Sequence, residues 1–243
     1  ENEPLAKVID PIRVNFEKEG LVYRENVAYG NESPRQIMDY FYPKENNGSM
    51  PVVIWIHGGG WSDENLTKRY RPEPELAQLS KMGFFVASIE YRLMQHAVFP
   101  AQIQDCKCAV RYLRAHAKEL GIDSEHIGAW GESAGGHLTA LLGTAGHVEE
   151  FEGRGGWQEY SSEIQAACPW YAPYDMLEDA RRSEGQKDSL SQRLFGGPAS
   201  EKEELIRKAS PIYYAKEKLP PFLVMHGDSD RLVPLSQTEN FYS

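Results

Sequence analysis

The sequence has 243 residues and a formal net charge of −10, with 41% hydrophobic and 26% charged residues. This length suits a single α/β domain, and we expect one domain over residues 1–243. The acidic balance argues against nucleic acid and anionic membrane surfaces as partners, because no basic patch is available to neutralise phosphates. The longest apolar runs, such as PVVIWI, are too short to span a bilayer. No signal peptide is recognisable, and the sequence leaves both the compartment and the oligomeric state open.

Two strands are predicted first along the chain. The segments 20–29 (GLVYRENVAY) and 35–43 (RQIMDYFYP) alternate like half-buried strands, and a turn over 31–34 joins them. We expect an antiparallel hairpin at one edge of a sheet. Short apolar runs, each followed by Gly, Pro or polar residues, then suggest central strands buried on both faces at 52–57, 84–91, 126–132, 164–171 and 221–227. Helix-like segments alternate with these runs, which predicts a largely parallel sheet with helices on both faces.

The clearest helix lies between the strands at 84–91 and 126–132. Pro100 fits its first position and Gly121 its C-terminal stop. Apolar residues between them recur at steps of three and four, which gives one stripe to pack on the sheet. A second helix is predicted from Ser133 to Leu142. The polar stretch 174–214, broken by FGGP, is interpreted as a helical excursion placed where a cap over a pocket would lie.

The first candidate catalytic motif is GESAG, residues 131–135, which matches G-x-S-x-G. A predicted strand precedes it and a helix-forming run follows, which is the setting that the motif requires. Flanking side chains would collide with neighbouring backbone in so sharp a turn, so glycine is needed on both sides of Ser133. The alternative is an ordinary glycine-rich turn. Glu132 is interpreted as a residue that bonds the turn rather than as a catalytic acid.

The second motif is HGGGW, residues 57–61, at the end of the predicted strand 52–57. Successive glycines are costly in the unfolded chain, and a fold keeps them where backbone must approach something closely. The motif predicts an oxyanion hole made of the N–H groups of Gly59 and Gly60, together with that of Ala134. A flexible loop is the alternative. His57 is interpreted as structural, bonding the loop.

The third motif is HGDSDRLVP, residues 226–234, which follows the apolar run PFLVM. An acid in this loop would orient and stabilise a catalytic imidazole. Two aspartates compete for the role. Asp228 directly follows a glycine, where bonding of the turn backbone is the alternative to a catalytic role, so we favour Asp230, which lies farther out.

Together the three motifs resemble the α/β-hydrolase superfamily, and the pairing of HGGGW with GESAGGH resembles its esterase branch. The segment 99–143 is especially similar to the carbohydrate-esterase and feruloyl-esterase-like group, neighbours of the hormone-sensitive-lipase type. The resemblance runs from about Tyr40 to the end of the sequence. It implies an α/β-hydrolase fold with Ser133 as the nucleophile and Asp230, in the pattern D-x-x-V-P, as the acid. It also supports the oxyanion donors named above.

The implied catalytic histidine follows the acid in this family, but no histidine follows Asp230 in the sequence. His226 ends the strand that carries the acid loop, and His137 lies four residues into the nucleophile helix, so neither fits. His96, in the loop before the long helix, is the one upstream candidate worth testing. We therefore expect residues 1–243 to lack the last strand and helix of the fold, with the catalytic histidine beyond residue 243.

The resulting hypothesis is a serine carboxylic-ester hydrolase that forms an acyl-enzyme on small-molecule esters, either short-chain or carbohydrate-linked (acetyl or feruloyl type). No cofactor is implied. Three cysteines, two of them on opposite sides of one predicted helix, suggest neither a disulfide framework nor a metal site. Trp61 and Tyr174 are expected to contact substrate, as are Trp170 and Tyr171, with core packing as the alternative. A catalytically silent ligand-binding module and an amidase or formamidase on the same frame stay open.

Overall fold

A six-stranded mixed sheet forms the centre of the molecule. The computed structural model describes residues 15–46, 48–69, 73–215 and 218–243. In chain order the strands are β1 (Leu21–Ala28), β2 (Ile37–Pro43), β3 (Met50–Ile56), β4 (Phe85–Ile89), β5 (Ile122–Glu132) and β6 (Ala166–Trp170). Their spatial order is β1-β2-β4-β3-β5-β6, in which β4, β3, β5 and β6 run parallel. The predicted N-terminal hairpin is confirmed, because β1 pairs antiparallel with β2 at the sheet edge.

Helices cover the sheet on both faces, as predicted. They are α1 (Glu73–Lys81), α2 (Ala101–Ala115), α3 (Ala117–Leu120), α4 (Ala134–Thr144), α5 (Met176–Arg182), α6 (Leu190–Phe195), α7 (Ala199–Lys208) and α8 (Ser236–Tyr242), with 3₁₀ turns at Glu149–Phe151 and Pro211–Tyr214. Strand β3 shows how its residues alternate between two cores. Ile54 packs in the core beneath α2 and α4, whereas Trp55 packs with Leu76 of α1 on the other face. This double burial explains why the central strands are continuous apolar runs.

The long predicted helix is present but interrupted. Helix α2 begins just after Pro100 and ends at Ala115, and the short α3 follows after His116. Gly121 caps α3 in the left-handed region at φ 67°, which confirms it as the stop signal. The excursion 174–214 is helical as expected and contains α5, α6 and α7. No helix within the described ranges is long and apolar enough to cross a membrane.

The prediction of a full strand at 221–227 is wrong. This segment meets β6 only through two isolated parallel bridges, Ala167 with Phe222 and Trp170 with Met225. The N–H groups of Leu223 and Met225 donate to the carbonyl oxygens of Ala167 and Pro169, but Pro169 has no N–H to donate back to this segment. The ladder is therefore broken at the proline, and the acid loop follows a strand-like segment rather than a regular strand.

Candidate active site

Ser133 sits on a strained turn between β5 and α4. Its backbone lies at φ 50° and ψ −116°, in a region that a residue with a side chain rarely adopts. The N–H of Ser133 donates to the carbonyl oxygen of Trp170 at 2.9 Å, which ties the turn to the end of β6. The serine is half-buried and lines a cavity of about 530 Å³. This strand–turn–helix geometry is the one that GESAG predicts.

The glycines around Ser133 are required by close backbone approach. A Cβ at Gly131 would lie 2.5 Å from the carbonyl oxygen of Gly135. A Cβ at Gly135 would lie 2.0 Å from the carbonyl oxygen of Ile56, because the start of α4 packs directly on the end of β3. Both distances are far shorter than any tolerated contact. The steric reason for the motif, inferred from the sequence, is therefore confirmed.

The HGGGW loop lies directly against the serine. A Cβ at Gly58 would be 3.4 Å from the Cβ of Ser133. Gly59 and Gly60 follow with φ of 103° and 57°, and both line the same cavity. Ala134 is the first residue of α4, so its N–H has no acceptor within the helix. The structure thus brings the three proposed oxyanion donors to the neighbourhood of Ser133.

Buried polar residues behind this loop hold it in place. The Nδ1 of His57 hydrogen-bonds to the carbonyl oxygen of Gly58 at 2.8 Å, and the Tyr91 hydroxyl donates to the carbonyl oxygen of His57 at 2.9 Å. The imidazole also stacks on the Tyr91 ring and lies 3.5 Å from the Glu90 carboxylate. Burial favours the neutral form of Glu90, but His57 and Arg35 outweigh it and lower its pKa to about 2. His57 is structural, as the sequence suggested.

The acid loop brings one of its two aspartates to the cavity. Asp230 lines it, whereas Asp228 is exposed and accepts from the hydroxyl of its neighbour Ser229. The Oδ1 of Asp230 accepts the N–H groups of Leu232 at 2.8 Å and Val233 at 3.0 Å. Turn bonding, the alternative role considered for Asp228, is thus performed by Asp230. Its position beside the cavity nevertheless makes Asp230 the better candidate acid.

Like His57, the two histidines in or beside the other motifs, His226 and His137, make structural hydrogen bonds. His226 contacts Thr238 through Nδ1 at 2.7 Å and Val233 through Nε2 at 2.9 Å, and its side chain is buried. The Nε2 of His137 donates to the carbonyl oxygen of Ala209 at 2.7 Å. Burial of His137 lowers its pKa to about 4. Neither residue presents a free imidazole to Ser133.

His96, the upstream candidate, also lies away from the cavity. Its Nδ1 accepts the N–H of Leu93 at 3.3 Å, and its Nε2 lies 4.0 Å from the Glu64 carboxylate. All seven histidines of the sequence fall in the described residues, and none lines the cavity with Ser133. The cavity therefore contains a candidate nucleophile, a candidate acid and candidate oxyanion donors, but none of the described histidines lines it.

The aromatic residues expected around the substrate separate into two groups. Trp61 and Tyr171 line the cavity, and the Tyr171 hydroxyl donates to the carboxylate of Glu132 at the cavity wall. Tyr174 does not line it: the ring is fully buried and stacks on Phe241 at 4.3 Å. Trp170 packs against Trp130 in an apolar groove elsewhere on the sheet. Core packing, the alternative considered for these residues, fits Tyr174 and Trp170.

The cavity also contains residues that no motif revealed. Asp179 and Arg182 of α5, Leu190 at the start of α6 and Leu66 all line it. They belong to polar or irregular segments whose placement depends on tertiary packing. The only signal in the sequence was the position of the excursion 174–214 between two strands. Among the described residues, no cluster of His, Cys, Asp or Glu is arranged to hold a metal ion.

The parallel-centred sheet and the serine turn after β5 define an α/β-hydrolase. The chain belongs to the BD-FAE family, whose sequence profile matches residues 38–243.

Curated relatives and solved structures agree with this class. The probable carboxylic ester hydrolase LipM of Mycobacterium tuberculosis is 30% identical over 240 residues, which is 97% of this chain and 54% of that protein. Esterase LipC of the same organism is 32% identical over 224 residues, 90% of this chain and 54% of that protein. The chain thus spans about half the length of these relatives. A truncated form of a carbohydrate esterase from gut microbiota superposes with a TM-score of 0.82 at 31% identity, covering 91% of this chain and 82% of that structure.

Proposed function

We propose that this chain carries the catalytic core of a serine carboxylic-ester hydrolase. The observation that carries the proposal is the contact between the Ser133 turn and the glycine loop at Gly58. This contact, and the cavity that Ser133 shares with Gly59 and Gly60, support a serine hydroxyl acting beside backbone N–H groups. Preorganised donors of this kind stabilise the oxyanion of an acyl-transfer reaction, each by about 2.7–4 kcal/mol. The esterase names of the relatives support the same reaction class.

In the proposed mechanism, the Ser133 hydroxyl attacks the ester carbonyl and gives its proton to an imidazole. The N–H groups of Gly59, Gly60 and Ala134 hold the oxyanion of the tetrahedral intermediate. The intermediate collapses to an acyl-serine, and the alcohol leaves with the proton returned by the imidazole. Water then repeats the sequence on the acyl-enzyme and releases the acid. Asp230 orients the imidazole and stabilises its charged form.

The mechanism needs an imidazole, and none of the seven histidines in the sequence lines the cavity with Ser133. We propose that it comes from a histidine outside residues 1–243. Without a general base a serine hydroxyl is a weak nucleophile, so turnover depends on that group. The proposal is therefore tested on the product of the complete gene.

The proposed substrates are short-chain or carbohydrate-linked esters, of acetyl or feruloyl type. Trp61 and Tyr171 at the cavity support this choice, because aromatic rings provide apolar faces for an acyl group or a sugar ring. A similar structure is described as a carbohydrate esterase. Another, at 25% identity and a TM-score of 0.70, is described as an acetyl ester-xyloside bifunctional hydrolase from Caldicellulosiruptor lactoaceticus. We further propose that α5 and α6, which contribute cavity residues, act as a cap within a single domain.

The test compares the complete gene product with its Ser133→Ala variant on p-nitrophenyl acetate. We expect turnover by the parent protein and a loss of at least about 10³-fold in kcat in the variant, since nucleophile and base act as one unit. Equal, background-level rates would support the second candidate, a catalytically silent binding module. That candidate is favoured by the absence of a histidine from the cavity. Matched ester and amide substrates separate an esterase from an amidase.

A further inference from the structure

The cavity beside Ser133 has two chemically different walls. The apolar wall is the name used here for Trp61, Leu66 and Leu190, which line the cavity beside Gly59 and Gly60, and the polar wall is the name for Asp179 and Arg182 on α5. The Arg182 guanidinium donates to the Asp179 carboxylate, so the polar wall presents an ion pair. Both side chains of the pair keep part of their surface in contact with water. A ligand with one apolar and one polar end would match these two walls.

Leu190 is the residue that closes the apolar wall. Its Cδ1 lies 3.3 Å from the position of a Cβ on Gly60, so it rests directly on the candidate oxyanion loop. The side chain is also 47% exposed. Its exposed surface is therefore available to a group bound beside Gly60.

Helix α6 holds Leu190 at this place. The helix is anchored at its other end by Leu194 and Phe195, which are buried in the main core. At its start, the Ser189 hydroxyl accepts the N–H of Gln192 at 3.2 Å and caps the helix. Leu190 is thus carried by a fixed element rather than by a mobile loop tip. A fixed apolar side chain can set the length of a pocket.

We propose that the apolar wall of Trp61, Leu66 and Leu190 is the acyl subsite, and that Leu190 limits the length of the acyl group. This inference rests on the proposed esterase function. A carbonyl oxygen held by Gly59 and Gly60 leaves its two substituents beside the loop. The acyl chain gains by covering apolar surface. An acyl chain laid over the Asp179–Arg182 pair would strip water from charged groups, whereas alcohol hydroxyls can hydrogen-bond to them.

The test is an acyl-length series on the complete gene product: p-nitrophenyl acetate, butanoate and hexanoate. Leu190→Ala is expected to raise the ratio of kcat/KM for hexanoate over acetate by about tenfold or more, the scale of discrimination by methylene groups in apolar pockets. Leu190→Phe is expected to lower the ratio. The matched control is Leu223→Ala, because Leu223 is 62% exposed and lies outside this cavity. Ratios unchanged in both Leu190 variants, or shifted equally in the control, overturn the inference.

A second series varies the alcohol at constant acetyl group, with p-nitrophenyl acetate against acetylated xylosides. Leu190→Ala should leave this ratio within twofold of the parent value. If Leu190→Ala changed the ratio in the alcohol series but not in the acyl series, the apolar wall would bind the alcohol, and the proposal would be wrong.

A binding experiment tests the acyl subsite independently of whether the protein is an esterase. If Ser133→Ala hydrolyses esters as fast as the parent, the proposed function fails, but the acyl subsite is still tested. Saturation-transfer NMR then compares binding of sodium hexanoate and sodium acetate to Ser133→Ala and to the Ser133→Ala, Leu190→Ala double variant. The inference predicts a stronger preference for hexanoate in the double variant, and an unchanged preference contradicts it.

Discussion

Ser133 and Gly58 come from turns at the ends of different strands, yet the Cβ of Ser133 lies 3.4 Å from the position of a Cβ on Gly58. Strands β3 and β5 are parallel neighbours, so their carboxyl ends meet at one edge of the sheet. The Ser133 turn and the glycine loop therefore meet without any long connection. The proposed chemistry depends on this contact.

The close packing of α4 on β3 makes Gly135 intolerant of any side chain. In Gly135→Ala, the new Cβ would lie 2.0 Å from the carbonyl oxygen of Ile56, so helix and strand must separate. We expect a loss of stability of about 3 kcal/mol or more, or failure to fold. Urea denaturation followed by circular dichroism measures it. Gly146→Ala is the matched control, because its Cβ would meet only ordinary contacts at 3.5 Å and 3.6 Å. Equal stabilities of the two variants would contradict the packing argument.

The two aspartates of the acid loop provide a matched pair. Asp230 lines the cavity and Asp228 does not. If Asp230 orients the catalytic imidazole, Asp230→Asn should lower kcat by roughly 10³–10⁴-fold, the scale seen when the acid of such a triad is replaced. Asp228→Asn should stay within about twofold of the parent. Initial rates on p-nitrophenyl acetate give kcat for both variants and the parent protein, and circular dichroism checks that the variants fold. A larger loss of kcat in Asp228→Asn than in Asp230→Asn would make Asp228 the catalytic acid instead.

Burial of His137 predicts a particular dependence of stability on pH. Its pKa is lowered from 6.5 to about 4 in the folded protein, so the unfolded state binds the proton more readily. The free energy of unfolding is therefore unaffected by His137 titration above pH 6.5, and it decreases as pH falls from 6.5 towards 4. We expect a loss of about 2 kcal/mol in the free energy of unfolding between pH 7 and pH 5 from this residue.

The control for this prediction is His137→Gln, which keeps a donor for the carbonyl oxygen of Ala209 but does not titrate. Urea unfolding at pH 7 and pH 5 should show a smaller change in the variant than in the parent. The remaining histidines and the carboxylates titrate in both proteins and cancel in the comparison. An identical change in parent and variant would show that His137 does not carry the effect.

The titration of Glu90 also lowers stability as the solution becomes more acidic, but it does so at lower pH than that of His137. Its pKa of about 2 in the folded state lies below the ordinary value of 4.5, so its contribution is present above 4.5 and is lost as pH falls towards 2. Glu90→Gln should destabilise the parent at pH 7, by an amount on the order of 3 kcal/mol, because Arg35 and His57 lose their buried partner. The difference between the two proteins should shrink at pH 3. A difference independent of pH would contradict the assignment.

The sequence predicted those parts of the fold that depend on short-range patterns. The glycines of GESAG and HGGGW, the apolar central strands and the hairpin all leave local signals, and they appear where expected. The strand at 221–227 was wrong because its apolar pattern does not show that Pro169 on its neighbour lacks a donor. Tyr174 was misplaced because an aromatic residue near a pocket and one in the core look alike in sequence. Asp179, Arg182 and Leu190 left no local signal, since only packing of the excursion brings them to the cavity.

The missing N–H of Pro169 also affects how the two halves of the candidate site are supported. Ser133 is tied to the last fully paired strand, whereas Asp230 follows a segment fastened to that strand on either side of a gap in the ladder. The serine turn and the acid loop are thus held to β6 by separate backbone hydrogen bonds, and the interrupted part of the ladder lies on the acid side alone.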